Sequence, residues 1–138
     1  MLTFLKLRKK AILPVALIVS FVFATPVNSG PIKVSPHFHG NTISGQSGGK
    51  INSRGCGFIS NKPTQVIEIT ERINYLRIAV AARSGQPTLL IKGPNGNLCA
   101  MNSNPEIAGV WVPGRYSIYV GDRSNSRHNF TLSISQKK

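Results

Sequence analysis

Acidic residues are scarce in this chain. It has 138 residues, and 4 Asp and Glu stand against 17 Lys and Arg, which gives a formal charge of +13 at pH 7. A glycosidase needs two carboxylates across a cleft, and among the four acids Glu68 and Glu106 are the pair that could be placed so. Glu68 lies between two isoleucines, where a strand would turn it to solvent, and Glu106 lies at a turn before a strand. The sequence therefore predicts a protein that is not an enzyme and leaves a secreted hydrolase as the weakest alternative.

Histidine is also rare, with three residues in the chain. His37 and His39 are two positions apart, but no Cys or carboxylate lies near them, and a firm transition-metal site needs three or four protein ligands. His128 shares a polar loop with Asp122 and Ser124, where turn chemistry explains these residues more simply than a Ser-His-Asp site does. We therefore predict no metal, no cofactor and no catalytic residue.

Long apolar runs are confined to the N-terminus. A basic start containing Lys6, Arg8, Lys9 and Lys10 is followed by 14 uncharged residues at positions 11–24. That length suits a signal peptide and is short for a membrane span of about 20 residues. We predict a signal peptide over residues 1–24, cleaved after Ala24 or alternatively after Ser29, and export to the periplasm or the medium. An uncleaved membrane anchor is the alternative.

Cysteine is limited to Cys56 and Cys99. In an oxidising compartment an even, small number of cysteines indicates a disulfide, and one pairing exists. It would close a loop spanning 43 positions and stabilise the fold by roughly 3–4 kcal/mol in the entropic description. A reactive or metal-binding thiol pair is the less favoured alternative, because the two residues lack CxxC spacing.

The segment from residue 25 to about 48 has no periodic apolar pattern. It contains Pro26, Gly30, Pro31, Pro36, Gly40, Gly45 and Gly48. Such a stretch buries too little apolar surface to offset the entropy of ordering it. We therefore predict a flexible linker over residues 25–48, followed by one domain over residues 49–138.

Strand signals dominate that domain, and no segment after Ala24 has helical periodicity. Residues 75–82, 115–120 and 129–135 alternate between apolar and polar side chains, which is typical of half-buried strands. Residues 65–70 and 88–92 are β-rich but less strictly periodic, and Asn95-Gly96 and Pro113-Gly114 mark turns. The predicted inward side chains are Leu76, Ile78, Val80, Tyr116, Ile118, Val120, Phe130, Leu132 and Ile134, with Trp111 in the core. The pattern predicts an all-β, antiparallel β-sandwich or jelly-roll-like fold.

Several motifs carry a resemblance to a known family. They are Cys56-Gly-Phe-Ile59, Thr88-Leu-Leu-Ile-Lys-Gly-Pro-Asn-Gly96, Cys99, Asn104-Pro-Glu-Ile107, Gly109, Trp111 and Pro113-Gly-Arg-Tyr-Ser-Ile-Tyr-Val-Gly121. Over residues 50–136 the chain resembles small exported bacterial proteins, found notably in photosynthetic bacteria, that are similar to the pre-peptidase C-terminal domain. The resemblance implies a jelly-roll-like sandwich with a non-catalytic accessory or binding role. Related sequences often carry acidic residues after the second Cys, and here residues 100–104 hold none.

The basic residues are the remaining functional signal. By strand parity Arg77, Lys92 and Arg115 face away from the core together with Tyr119, and two more arginines lie in the following loop. The predicted anion-binding face comprises Arg77, Lys92, Arg115, Tyr119, Arg123 and Arg127. Such a face would attract anionic glycans, lipopolysaccharide phosphates or nucleic acid, and the alternative is a solvated surface with scattered charge.

We therefore predict an exported accessory or binding protein of the cell envelope or the medium. Its expected partner is an anionic polysaccharide or another envelope protein, with no specific nucleic acid and no membrane contact beyond the signal segment. A purely structural or interaction domain without a small ligand is the alternative.

The processing prediction can be checked by intact-mass measurement. Protein from an exporting host should begin at Thr25 or Gly30, because the small residues Ala24 and Ser29 each suit a signal-peptidase site. A mass that retains the basic start in the membrane fraction would favour the uncleaved anchor.

Overall fold

The computed structural model describes residues 30–138, and every regular element in that range is a β-strand. The strands are β1 (Ile32–Val34), β2 (Asn41–Gln46), β3 (Ile51–Asn52), β4 (Phe58–Ile59), β5 (Gln65–Ile69), β6 (Ile73–Ala82), β7 (Pro87–Gly93), β8 (Gly96–Ala100), β9 (Glu106–Trp111), β10 (Gly114–Asp122) and β11 (Asn129–Ser135). Within residues 30–138 there is no helix long and apolar enough to cross a membrane. The predicted signal peptide, residues 1–24, and the alternative cleavage after Ser29 lie outside the described residues.

The strands form two sheets. Sheet I has seven strands around β10, which pairs with β7 on one edge and with β5 and then β4 on the other. Strand β8 extends sheet I beyond β7, β3 lies beside β4, and β1 pairs in parallel with β5. Sheet II has the antiparallel order β2-β11-β6-β9. All pairs except β1 with β5 are antiparallel, so the predicted all-β sandwich is confirmed.

One apolar core lies between the sheets, because successive strand residues point to opposite faces. Both sheets contribute to a single buried cluster, and the predicted inward residues of β6, β10 and β11 all belong to it. Trp111 is also buried there, its indole N–H donates to the Leu76 carbonyl at 2.9 Å, and its ring meets that of Tyr116 edge-on at 5.0 Å. The core placement predicted for Trp111 is confirmed.

Strand β7 lacks alternation because sheet I is covered on both faces there. Leu89 and Ile91 enter the main core, whereas Leu90 packs on the outer face against Cys56 and Ile59. A strand that is buried on both sides shows a continuous apolar run instead of a period of two. This second, smaller cluster explains why residues 88–92 are less periodic than the other strands.

The predicted flexible linker over residues 25–48 is wrong in its described part, residues 30–48. Strand β1 pairs with β5 in sheet I, and β2 pairs with β11 in sheet II, so the N-terminal segment joins both sheets. Val34 is fully buried, and Ile43 packs against the core. The domain therefore begins well before Gly49, where the sequence analysis placed its start.

Gly45 explains why β2 was not predicted from the sequence. It occupies an inward position opposite Phe130, and a Cβ there would lie 3.1 Å from the end of that ring. Phe130 from the neighbouring strand fills the space that a β2 side chain would otherwise take. The strand therefore shows a single large apolar residue, Ile43, and no visible alternation.

Removal of β1 and β2 should unfold the domain. A chain that begins at Gly49 should lose cooperative thermal unfolding, whereas a chain that begins at Gly30 should keep it. If both chains melt within a few degrees of each other, β1 and β2 contribute nothing to stability, and their assigned places in the two sheets are incorrect.

A milder test uses neighbouring residues of β1. Val34→Ala should lower the free energy of unfolding by about 1–3 kcal/mol because its side chain is fully buried. Lys33→Ala, the exposed control, should change it by less than about 0.5 kcal/mol. Urea denaturation measures both, and equal effects would contradict the assigned register of β1.

Candidate anion-binding site

The six residues predicted to share one basic face do not do so. Arg77 lies on the outer side of sheet II, beside Ala108 of β9, whereas Lys92, Arg115 and Tyr119 lie on the outer side of sheet I. Alternation correctly placed all four side chains outside the core. It could not tell which sheet carries each strand, so the prediction of a single face is wrong.

Two of the predicted arginines are bound to carboxylates. Arg77 Nε lies 2.8 Å from Glu106 Oε1, and Arg115 Nη1 lies 3.3 Å from Glu68 Oε1. The hydrogen bond from Arg77 lowers the pKa of Glu106 and raises the pKa of Arg77 itself. Exposed ion pairs of this kind add little stability, but they compensate the charge of both arginines.

Two further residues of the predicted set make local contacts on the surface. The Lys92 ammonium lies 5.1 Å from the centroid of the Tyr119 ring, which is a cation–π arrangement. A guanidinium N–H of Arg123 donates to the Met101 carbonyl. Arg77 and Arg123 line small grooves of about 370 Å³ and 160 Å³, whereas Arg127 lines two larger ones.

The disulfide between Cys56 and Cys99 is present, with a Cα–Cα distance of 5.9 Å, as predicted. It joins the loop at residues 53–57 to β8 on the outer side of sheet I, over Leu90. Thr88 Oγ donates to the Cys56 carbonyl at 2.8 Å and holds the loop from below. The bond therefore clamps a loop onto the sheet and closes the second cluster.

A buried carboxylate organises the loop that follows β10. Asp122 is fully buried and accepts hydrogen bonds from the Ser124 amide at 2.9 Å, the Ser124 hydroxyl at 2.8 Å and the Gln86 amide at 3.1 Å. His128 Nδ1 lies 3.2 Å from Asp122 Oδ2, the oxygen that also accepts from Gln86. Burial acts to raise the pKa of Asp122, but these hydrogen bonds outweigh it and hold the pKa below its usual value.

The same residues do not form a catalytic triad. In a Ser-His-Asp site the histidine stands between the serine and the aspartate. Here Asp122 stands in the middle, bound by Ser124 on one side and by His128 on the other. The cluster therefore anchors a loop, in agreement with the interpretation of these residues as turn chemistry.

The loop is also tied to the segment after β2. The Ser47 amide donates to the His128 carbonyl at 2.8 Å, and the His128 amide donates to the Ser47 hydroxyl at 3.2 Å. Gly48 has a φ of +80° and approaches the Ser126 carbonyl so closely that a Cβ would collide with it. Residues 126 and 128 are thus both held in place, and Arg127 lies between them.

Arg127 lines two adjoining grooves on one side of the sandwich. The first, of about 610 Å³, also includes Lys50, and the second, of about 730 Å³, also includes Lys62. Ser60 and Arg127 line both grooves, so the two adjoin at these residues. Neither groove has an Asp or Glu in its lining.

Lys50 and Lys62 were missed by the sequence analysis. Each is an isolated lysine in a stretch without strict alternation, and no sequence signal links either one to Arg127. Their proximity depends on the pairing of β10 with β4 and on the position of the loop at residues 60–64. These are long-range features that a single sequence does not contain.

The fold is that of a pre-peptidase C-terminal domain. The structure resembles the crystal structure of this domain from a collagenase of Bacillus anthracis, with a TM-score of 0.51 and 15% sequence identity over 78% of this chain and 96% of that one. The resemblance stated from the sequence motifs is therefore confirmed at the level of the fold. No known protein-family profile matches the chain.

A closer relative comes from a cyanobacterium. An uncharacterized protein of Synechococcus elongatus is 44% identical over 100 residues, which cover 67% of this chain and 73% of that protein. The chain belongs to the same family as this Synechococcus protein.

The Asp122 cluster yields a prediction about acid stability. Because the pKa of Asp122 is lower in the folded state, its contribution is present above the unfolded pKa of about 3.9 and is lost as the pH falls through the folded pKa. Asp122→Asn should lower the free energy of unfolding at pH 7 by about 1–3 kcal/mol, and the difference from the unsubstituted protein should shrink below about pH 4.

The matched control is Glu71→Gln, which removes one exposed carboxylate and should leave the pH profile of stability nearly unchanged. Denaturation curves between pH 2 and pH 7 measure both variants. Equal stability of Asp122→Asn and the unsubstituted protein at pH 7 would show that the cluster does not hold the loop.

Proposed function

We propose that this protein is an exported, non-catalytic β-sandwich domain that binds an anionic polymer of the cell envelope or the surrounding medium. The observation that carries the proposal is uncompensated positive charge. Residues 30–138 contain 13 of the 17 Lys and Arg and all four acids. Three of those acids are bound to Arg77, Arg115 and His128, so most of the cations face solvent without a carboxylate partner among these residues.

Export is supported by the cysteines and by the N-terminal pattern. A disulfide persists in oxidising compartments, and the Cys56–Cys99 bond lies partly at the surface, where a reducing cytosol would reach it. The basic and apolar start of the chain has the composition of a signal peptide. Both features favour the periplasm or the medium.

The non-catalytic role is supported by the contacts that the acidic side chains already make within the domain. Glu68 and Glu106 lie on different sheets and are each bound to an arginine, and Asp122 is buried beneath its loop. The likeness to a domain attached to a collagenase supports an accessory role, although that likeness concerns the fold alone.

A structural or interaction domain is the second candidate, and the edge strand β8 favours it. The strand carries no charged residue, and the side chains of Leu98 within it and of Met101 just after it are exposed. Natural edge strands are usually protected by charges, prolines or bulges. This candidate takes first place if no polymer binds.

The proposal predicts retention of residues 30–138 on immobilised heparin and no retention on neutral dextran. Because each contact with an anion releases counterions, the apparent affinity should fall steeply and log-linearly with salt. The measurement is elution salt together with a titration at several salt concentrations. Passage through heparin at low salt without delay would contradict the proposal.

A further inference from the structure

We infer that the two adjoining grooves around Arg127 form one binding site for a single chain of an acidic polysaccharide. The inference rests on the proposed function and extends it by naming the site and the class of ligand. The cations of the site are Lys50, Lys62 and Arg127. They replace the face predicted from the sequence, of which Arg127 alone remains.

The shape of the site suits a linear polymer. The first groove lies between the segment at residues 49–51 and the loop after β10. The second continues from Ser60 and Arg127 along the open side of the sandwich, between edge strand β2 of sheet II and the segment before β5 of sheet I. A polymer can pass along such an open channel without its ends being enclosed.

The lining favours sugars over nucleic acid. Among its polar residues are Asn41, Thr42, Ser44, Gln46, Asn61 and Asn125. Amides and hydroxyls both donate and accept hydrogen bonds, as sugar hydroxyls require. Single-stranded nucleic acids are usually held by exposed aromatic rings on which bases stack, and the aromatic residue of these grooves, Phe130, is only 4% exposed.

The charge distribution favours carboxylate or sulfate groups spaced along a chain. The two lysines line different grooves, and Arg127 lines both. A guanidinium binds a carboxylate or sulfate through two parallel hydrogen bonds, while the lysines act as point charges on either side. Since no carboxylate lines either groove, an anionic chain meets no local repulsion.

The residues on both sides of Arg127 are held in place before any ligand binds. Its neighbours Ser126 and His128 are held by Asp122 and by Ser47, so the loop loses little conformational freedom on binding. Preorganisation of this kind lowers the entropic cost of association. Asp122 therefore helps to hold the loop that carries Arg127.

The test compares two triple variants that remove equal charge. Lys50→Gln/Lys62→Gln/Arg127→Gln changes the grooves, whereas Arg72→Gln/Lys92→Gln/Lys137→Gln changes three exposed cations that line neither groove. The ligand is a polygalacturonate oligomer titrated by calorimetry at low salt, with dextran, lipopolysaccharide and single-stranded DNA as comparisons. Thermal unfolding confirms that both variants remain folded.

We expect the groove variant to lose roughly tenfold or more in affinity and the control variant less than about threefold, because contacts at a site act locally whereas net charge acts on both. The slope of log affinity against log salt should fall by up to about three in the groove variant. Equal losses in the two variants would overturn the site while leaving the proposed function intact. Stronger binding of lipopolysaccharide or DNA than of polygalacturonate would overturn the ligand class, and a protein that binds no anionic polymer would overturn the proposed function itself.

Discussion

The hydrogen-bonded burial of the Asp122 carboxylate is the constraint on which one side of this molecule depends. Asp122 is the last residue of the central strand β10. Its carboxylate accepts hydrogen bonds from the amides of Gln86 and Ser124 and lies beside the ring of His128. A buried charge is tolerated only when its hydrogen-bonding capacity is satisfied, so the loops that satisfy it have little freedom to move. That rigidity gives the groove around Arg127 a defined wall. The carboxylate therefore links the fold to the proposed binding site without taking part in any reaction.

The sandwich distributes its polar and apolar residues according to the order of its strands. Tyr116, Ile118 and Val120 of β10 fill the core, and two outward residues of this strand make contacts at the surface. Arg115 binds Glu68, and Lys92 lies over Tyr119. Charges on the broad faces are therefore partly compensated. The cations on the open side of the sandwich have no carboxylate in the lining of their grooves. The proposed binding site therefore lies at this side of the sandwich.

Strict alternation made the long strands predictable from sequence, and the two cysteines made the disulfide predictable. The same reasoning failed for β2, because a side chain from the neighbouring strand fills part of its inward face. In β2 the inward space beside Gly45 is filled by Phe130, so the sequence of β2 alone resembles a linker. The alternation of side chains along each strand also predicted that Arg77 and Arg115 face outward. It did not predict that they lie on opposite sheets. The groove lysines were not predictable, because their meeting with Arg127 depends on pairing between segments distant in sequence.

In the proposed mode of binding, an acidic sugar chain lies beside Arg127 and not on the broad faces. Backbone amide chemical shifts of isotope-labelled residues 30–138, followed by NMR as a short polygalacturonate oligomer is added, test it most directly. We expect the largest changes at residues 49–51, 60–64 and 125–128, with little change around Lys92 and Tyr119. Changes centred on the outer face of sheet I, or spread evenly over all exposed cations, would contradict it.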